Sequence, residues 1–328
     1  MRSATRICIA ALLAGAMLAG CDSDEDEGDA SASRPAPPAS EFPATQGRTL
    51  EQVLGTATSE GPVVSPAAKV LREGENRFSF GVFSLAHEPI STAQVAIYAA
   101  PRGLEGPAEG PFPARIEDLG TEPAFRAKST ADDPDAAEVV YISEIRLDRP
   151  GEWAFAALVR EGDSYSASLV PTPSLVGEFN PPRVGDPAPQ VSTPLANEVA
   201  DISEIDTRVP PSTMHEEDLE AVLGKKPVVL LFATPALCQS RICGPVVDIA
   251  EQVKREFGDR VAFIHQEIYN DNDLNQGSRP QVQAYELPSE PWLFVIDRGG
   301  VVRTAIEGAF GVGELERAVE QVSGPANG

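Results

Sequence analysis

The sequence predicts a multidomain protein in which an all-β sandwich is followed by an α/β unit. Three observations predict it. Between residues 63 and 171, short apolar or alternating runs are separated by turn residues, the pattern of a sandwich. From residue 212 onward, the apolar period switches repeatedly between that of a helix and that of a strand. Between the two, residues 172–211 hold Pro173, Pro181, Pro182, Pro187, Pro189 and Pro194, too many for regular structure, and read as a connector. At 328 residues the chain also exceeds the ~250 residues at which a single core stops growing.

In chain order, Arg2 and Arg6 begin a basic segment, and Ile7 to Leu18 form an apolar run shorter than the ~20 residues that span a bilayer. The run ends in Leu18-Ala19-Gly20-Cys21, which resembles the lipobox of bacterial lipoproteins. The resemblance implies that residues 1–20 are a signal peptide and that Cys21 is acylated and becomes the first mature residue. It also implies an extracytoplasmic chain, lipid-anchored to the cell membrane. Asp22 then implies inner-membrane retention in an envelope with two membranes. Residues 21–62 open on an acidic run and continue into Pro35-Ala36-Pro37-Pro38, a composition that buries too little apolar surface to offset ordering entropy. They read as a disordered tether with room for a short helix over Thr49 to Leu54. The chain carries 26 Lys plus Arg against 50 Asp plus Glu, and its net charge of -24 argues against nucleic acid or a basic membrane-binding patch.

Strands are expected at Phe78 to Leu85, Ala93 to Tyr98, Glu138 to Ile142, Glu152 to Val159 and Ser164 to Val170. Residues 101–137, rich in Pro, Gly and Asp, read as a long loop. Arg149-Pro150-Gly151-Glu152-Trp153, leading into a late strand, resembles the penultimate hairpin of immunoglobulin-like modules such as the YtkA-like group. In the connector, Val184-Gly185-Asp186-Pro187-Ala188-Pro189 resembles the lead-in that precedes the core of peroxiredoxins and TlpA-like proteins.

Within 212–328 the pattern predicts a helix at Glu216 to Leu223, a strand at Pro227 to Ala233, a helix at Pro245 to Phe257 and a strand at Val261 to Tyr269. A short helix at Gln281 to Tyr285, strands at Trp292 to Ile296 and Val301 to Ile306, and a helix at Val312 to Val322 follow. Val246, Ile249, Ala250, Val253 and Phe257 share one face of the helix, with Pro245 suited to its first turn.

With Cys8 removed in the signal and Cys21 lipidated, Cys238 and Cys243 are the thiols left to the folded part. A bridge between them would close too small a loop to restrain the unfolded chain strongly, so a purely structural staple is the weaker explanation. A cysteine at a helix N-terminus is held as thiolate by unpaired N–H groups, and a second thiol nearby resolves the mixed disulfide. Arg241, between the two, is positioned to depress their pKa further. Four residues intervene, and inside one helix the Cα atoms would stand about 8 Å apart, beyond disulfide reach. Cys238 is therefore expected in an irregular loop and Cys243 at or just before the helix start.

The strand Val228 to Ala233 running into Cys238-Gln239-Ser240-Arg241-Ile242-Cys243, Pro291 before a strand, and the Arg298-Gly299-Gly300 turn after it together resemble the thioredoxin fold over residues 212–328. That resemblance implies thiol-disulfide exchange with protein thiols and disulfides of the envelope, and a cis Pro291 lying against the cysteines. It places the attacking thiol at Cys238, whereas helix proximity favours Cys243. The spacing departs from the family's Cys-x-x-Cys, and the usual buried acid is replaced by Leu231, leaving Glu290 or His265 to stand in. A second reading is copper held by Cys238, Cys243 and His265, by resemblance to Sco-type chaperones and the preference of Cu(I) for thiolate and imidazole. A third is a non-catalytic envelope module. Nothing in the sequence points to an oligomeric state.

Overall fold

The computed structural model describes residues 33–170 and 174–324, so the apolar leader, the lipobox and Cys21 lie outside the described residues. Nine strands build the first unit: β1 (Ser59–Glu60), β2 (Val63–Pro66), β3 (Gly74–Phe83), β4 (Gln94–Pro101), β5 (Glu109–Asp118), β6 (Val139–Leu147), β7 (Gly151–Glu161), β8 (Ser164–Leu169) and β9 (Ser174–Val176). They are hydrogen-bonded into one sheet, ordered β1-β8-β7-β4-β5-β6-β3-β2, with β9 also on β7. All the expected runs fall on strands. The sheet continues through β5, whose first half pairs with β4 and whose second half pairs with β6. Phe78 stacks on Phe155 and Phe80 on Tyr141 in the core, beside the fully buried Trp153.

Two expectations are corrected here. Strand β5 occupies what reads as loop, because Pro111 and Pro113 argue against a central strand. Both prolines lie in the half that pairs with β4, beside the register break at Ile97/Ala99 where the ladder is interrupted. The second correction concerns residues 33–62, which are ordered. Thr49 caps α1 (Leu50–Leu54) in a reciprocal bond with Gln52. Phe42, Leu50 and Val53 bury against Tyr98, Ala156 and Leu158 on β4 and β7. Together with backbone hydrogen bonds such as those from Leu50 to Gly106 and from Glu51 to Leu104, they dock a segment whose average composition is that of a tether.

The second unit comprises α3 (Leu219–Val222), β10 (Val228–Phe232), α4 (Cys243–Phe257), β11 (Ala262–Gln266), α5 (Pro280–Ala284), β12 (Trp292–Ile296), β13 (Val302–Glu307) and α6 (Val312–Ser323). The first unit contributes α2 (Lys128–Ala131) between β5 and β6. The sheet order is β11-β10-β12-β13, with β10 parallel to β11 and antiparallel to β12, and β12 antiparallel to β13. The α/β succession of elements is the one expected from the sequence. Strand β10 is apolar throughout because both faces are covered. Val229 and Leu231 pack with Val246, Ile249, Leu315 and Val319 of α4 and α6. Val228, Leu230 and Phe232 pack on the other side with Tyr285 and Phe294.

The units are packed together. Leu119, Val140 and Ile142 of the first share a core with α4 of the second. Arg77 on β3 forks onto Glu314 of α6 at 2.8 and 2.9 Å, and Glu307 of β13 accepts the backbone N–H groups of Lys69 and Val70, both at 2.9 Å. The connector also docks, burying Thr193, Asp206 and Arg208. Among the described residues, no helix is long and apolar enough to cross a membrane.

Candidate active site

Strand β10 ends at Phe232, and residues 233–242 run irregularly to α4, whose first residue is Cys243. Arg241 takes a φ of 58°, which turns the chain into the helix. Cys238 thus sits in a loop and Cys243 at the helix start, as disulfide geometry requires of this spacing. Both thiols are free and buried, Cys238 retaining 4% of its surface and Cys243 none.

Their electrostatics diverge. A hydrogen bond from the Cys243 thiol chiefly holds the Cys238 sulfur as thiolate; against the opposing effect of burial, Ser240 and the N–H groups of Cys243 and Ile242 add to it. The Cys238 pKa falls to about 6, with Ser240 Oγ at 3.2 Å from the sulfur. Complete burial pushes the Cys243 thiol up, and the neighbouring Cys238 and Glu290 charges push the same way. The extra loop length lets the helix N-terminal N–H groups serve the first cysteine, although the second is closer in sequence.

Pro291 is buried and its peptide bond to Glu290 is cis, as expected. Glu290 accepts a hydrogen bond from Tyr269 at 3.3 Å. Burial, then Glu290, then the two cysteines push the Tyr269 phenol up to about 12. Tyr269 and Glu290 therefore lie within electrostatic reach of the pair.

Arg241 is not where its sequence position suggested. Its guanidinium pairs with Asp133 of the first unit at 3.4 Å and is half exposed. His265 is also otherwise engaged. Its Nδ1 lies 3.4 Å from Asp206 and 3.3 Å from Ser212, and its Nε2 lies 3.1 Å from the Ala233 carbonyl. Burial opposes its charged form, but Asp206 and Glu267 outweigh it and raise its pKa to about 9. The copper set of Cys238, Cys243 and His265 is not gathered: among the described residues, the three ligand atoms that converge are those of Asp206, His215 and His265.

Residues 119–138 of the first unit frame the helix start. The Arg241 carbonyl accepts from Ala137, and Thr130 packs against Gly244 so closely that a Cβ there would meet its hydroxyl at 2.9 Å. Behind α4, Asp248 accepts from Arg208 at 2.8 Å and from the Ala127 N–H at 3.0 Å, while Arg208 also donates to Phe125 and Pro210 carbonyls. Sequence reasoning missed Ser240, Tyr269, Asp206, His215 and this Arg208–Asp248 brace. Only Ser240 carried a signal, a hydroxyl two residues after a cysteine.

No protein-family model matches the chain, and no curated protein matches it. Among solved structures it is similar to the crystal structure of a thiol:disulfide interchange protein, a thioredoxin family protein from Chlorobium tepidum TLS. That similarity has 17% identity and a TM-score of 0.29, covering 45% of this chain and 100% of that one.

Proposed function

We propose that the chain is a membrane-anchored, extracytoplasmic thiol-disulfide oxidoreductase that cycles the Cys238 and Cys243 pair against protein thiols or disulfides of the cell envelope. The observation that carries it is the placement of two free thiols where β10 meets α4, Cys238 in the loop and Cys243 as the first helical residue. The donors around Cys238 favour its thiolate while burial keeps the proton on Cys243. In the reducing direction, the Cys238 sulfur attacks a substrate disulfide. One sulfur–sulfur bond forms, the substrate bond breaks, and the departing thiolate takes a proton from water. Cys238 then loses the negative charge that helped hold the Cys243 pKa up. Cys243 deprotonates more readily and attacks the Cys238 sulfur. The bond between Cys238 and the substrate sulfur breaks, the second substrate thiolate leaves and is protonated, and two electrons have passed to the substrate while the protein keeps the Cys238–Cys243 disulfide. The oxidising direction is the reverse.

The anchor follows from the lipobox resemblance at Cys21, and the first unit serves as a frame for the cysteine loop as well as a spacer. The test is the reduction potential of the pair in the full chain, read by thiol trapping in glutathione or dithiothreitol buffers. A reversible couple between about -120 and -270 mV supports exchange. A bond that resists reduction below about -300 mV marks a staple and overturns the proposal.

A further inference from the structure

Asp206, His215 and His265 are each at most 2% exposed and bring one ligand atom apiece within 4.8 Å of one another. From this convergence we propose that they form a structural zinc site, independent of the cysteine pair. Asp206 Oδ2 lies 3.0 Å from His215 Nε2 and 3.4 Å from His265 Nδ1. With metal–ligand bonds of about 2.0–2.1 Å, those separations subtend angles of about 95° and about 110°, near tetrahedral values. Ser212 Oγ, 3.3 Å from His265 Nδ1, supplies an oxygen for a fourth position.

Two of the three atoms turned away from this point are held as ligand partners usually are, while His215 Nδ1 is buried without a partner. His265 Nε2 meets the Ala233 carbonyl at 3.1 Å, and Asp206 Oδ1 accepts the Arg208 N–H at 2.8 Å. The His265 ring and the carboxylate are therefore set before a metal arrives. A second carboxylate stands close by: Glu267 is 1% exposed, its Oε2 is buried without a partner, and its charge acts on both histidines. Two buried carboxylates beside two imidazoles suit a dication, and nitrogen and oxygen donors without thiolate suit zinc rather than Cu(I). Two of the three histidines of the chain are committed here. Burial of all three ligands leaves no position open to substrate, which marks the site as structural. Binding expels the Nδ1 proton of His265 to solvent and shifts the His215 proton from Nε2, where it faces Asp206, to the unpartnered Nδ1. The metal would pin residues 206–215, where the connector enters the second unit, to β11, beside the end of β10 that leads into the cysteine loop.

The test uses the full chain and a Cys238→Ser/Cys243→Ser double variant, each incubated with zinc, dialysed and assayed for metal by mass spectrometry. The expectation is about one zinc per chain in both, unchanged in His87→Gln and reduced at least ten-fold in His215→Gln and His265→Gln. Chelation should lower Tm by at least about 5 °C, with zinc restoring it. Should the histidine variants fail to fold, cobalt(II) substitution of the unmodified chain decides: visible d–d bands without thiolate-to-metal charge transfer support the site. Less than a tenth of an equivalent of zinc, loss of zinc in the double cysteine variant, or full retention in a folded His215→Gln overturns it.

Discussion

The loop that carries Cys238 and the first turn of α4 that carries Cys243 are neighbours with almost the same burial, yet their thiols are pushed in opposite directions. The difference shows that burial alone does not set the reactivity of a cysteine. Cys238 is surrounded by donors: the Cys243 thiol, the Ser240 hydroxyl and two helix-start N–H groups. Cys243 is surrounded by the apolar core that α4 shares with β10 and by a neighbouring negative sulfur. One site stabilises charge and the other rejects it, so attack and resolution are divided between them.

The comparison can be broken most directly by removing one sulfur at a time. Cys238→Ser should abolish exchange with a model dithiol, whereas Cys243→Ser should still attack and accumulate a mixed disulfide, visible by intact mass. Equal loss without a trapped adduct in either variant would overturn the division of roles.

A smaller but still large effect is expected behind the helix. Arg208→Met leaves Asp248 buried without its ion-pair partner and should destabilise the protein by about 3–5 kcal/mol in denaturant unfolding.

The pH dependence sharpens the contrast further. Alkylation of Cys238 in the Cys243-retaining protein should rise with pH and reach half its maximum near 6, the depressed value. Because the folded pKa lies below the unfolded value of ~8.5, the stabilisation from the Cys238 thiolate is fully present above that value. It is lost as pH falls through about 6. Ser240→Ala removes one donor worth roughly 1 kcal/mol and should raise the alkylation midpoint by roughly half to one unit. The smallest effect is assigned to Arg241→Ala. Its guanidinium pairs with Asp133, so the midpoint should not move measurably; a clear rise would restore the role that its sequence position suggested.

Much of the second unit was legible because its apolar periodicity reports burial directly. Trp292 to Ile296 is a strand with the bounds expected of it, and α6 differs from expectation by one residue at its end. Strand β5 was hidden by its prolines; the short helix at Thr49 to Leu54 was legible, but the docking of the segment around it was hidden by its polar composition. Of the site, the two cysteines and the cis Pro291 were legible, since a loop between strand and helix and a proline before a strand are local patterns. Asp206, His215 and Tyr269 were not, because an irregular segment shows no period that would place Asp206 against His215, and the contacts to His265 and from Tyr269 to Glu290 join separate elements.

What the sequence determined by itself was therefore the order of elements and the separation of the two thiols. That separation obliges Cys238 to leave the helix, since side-chain period and chain geometry act over a few residues. Only the tertiary structure decided that the helix start donates to Cys238, that Arg241 faces Asp133, and that His265 joins Asp206 rather than the cysteines. These are outcomes of desolvation and hydrogen bonding among residues brought together by packing, and no local pattern encodes which distant partner a buried polar group will find.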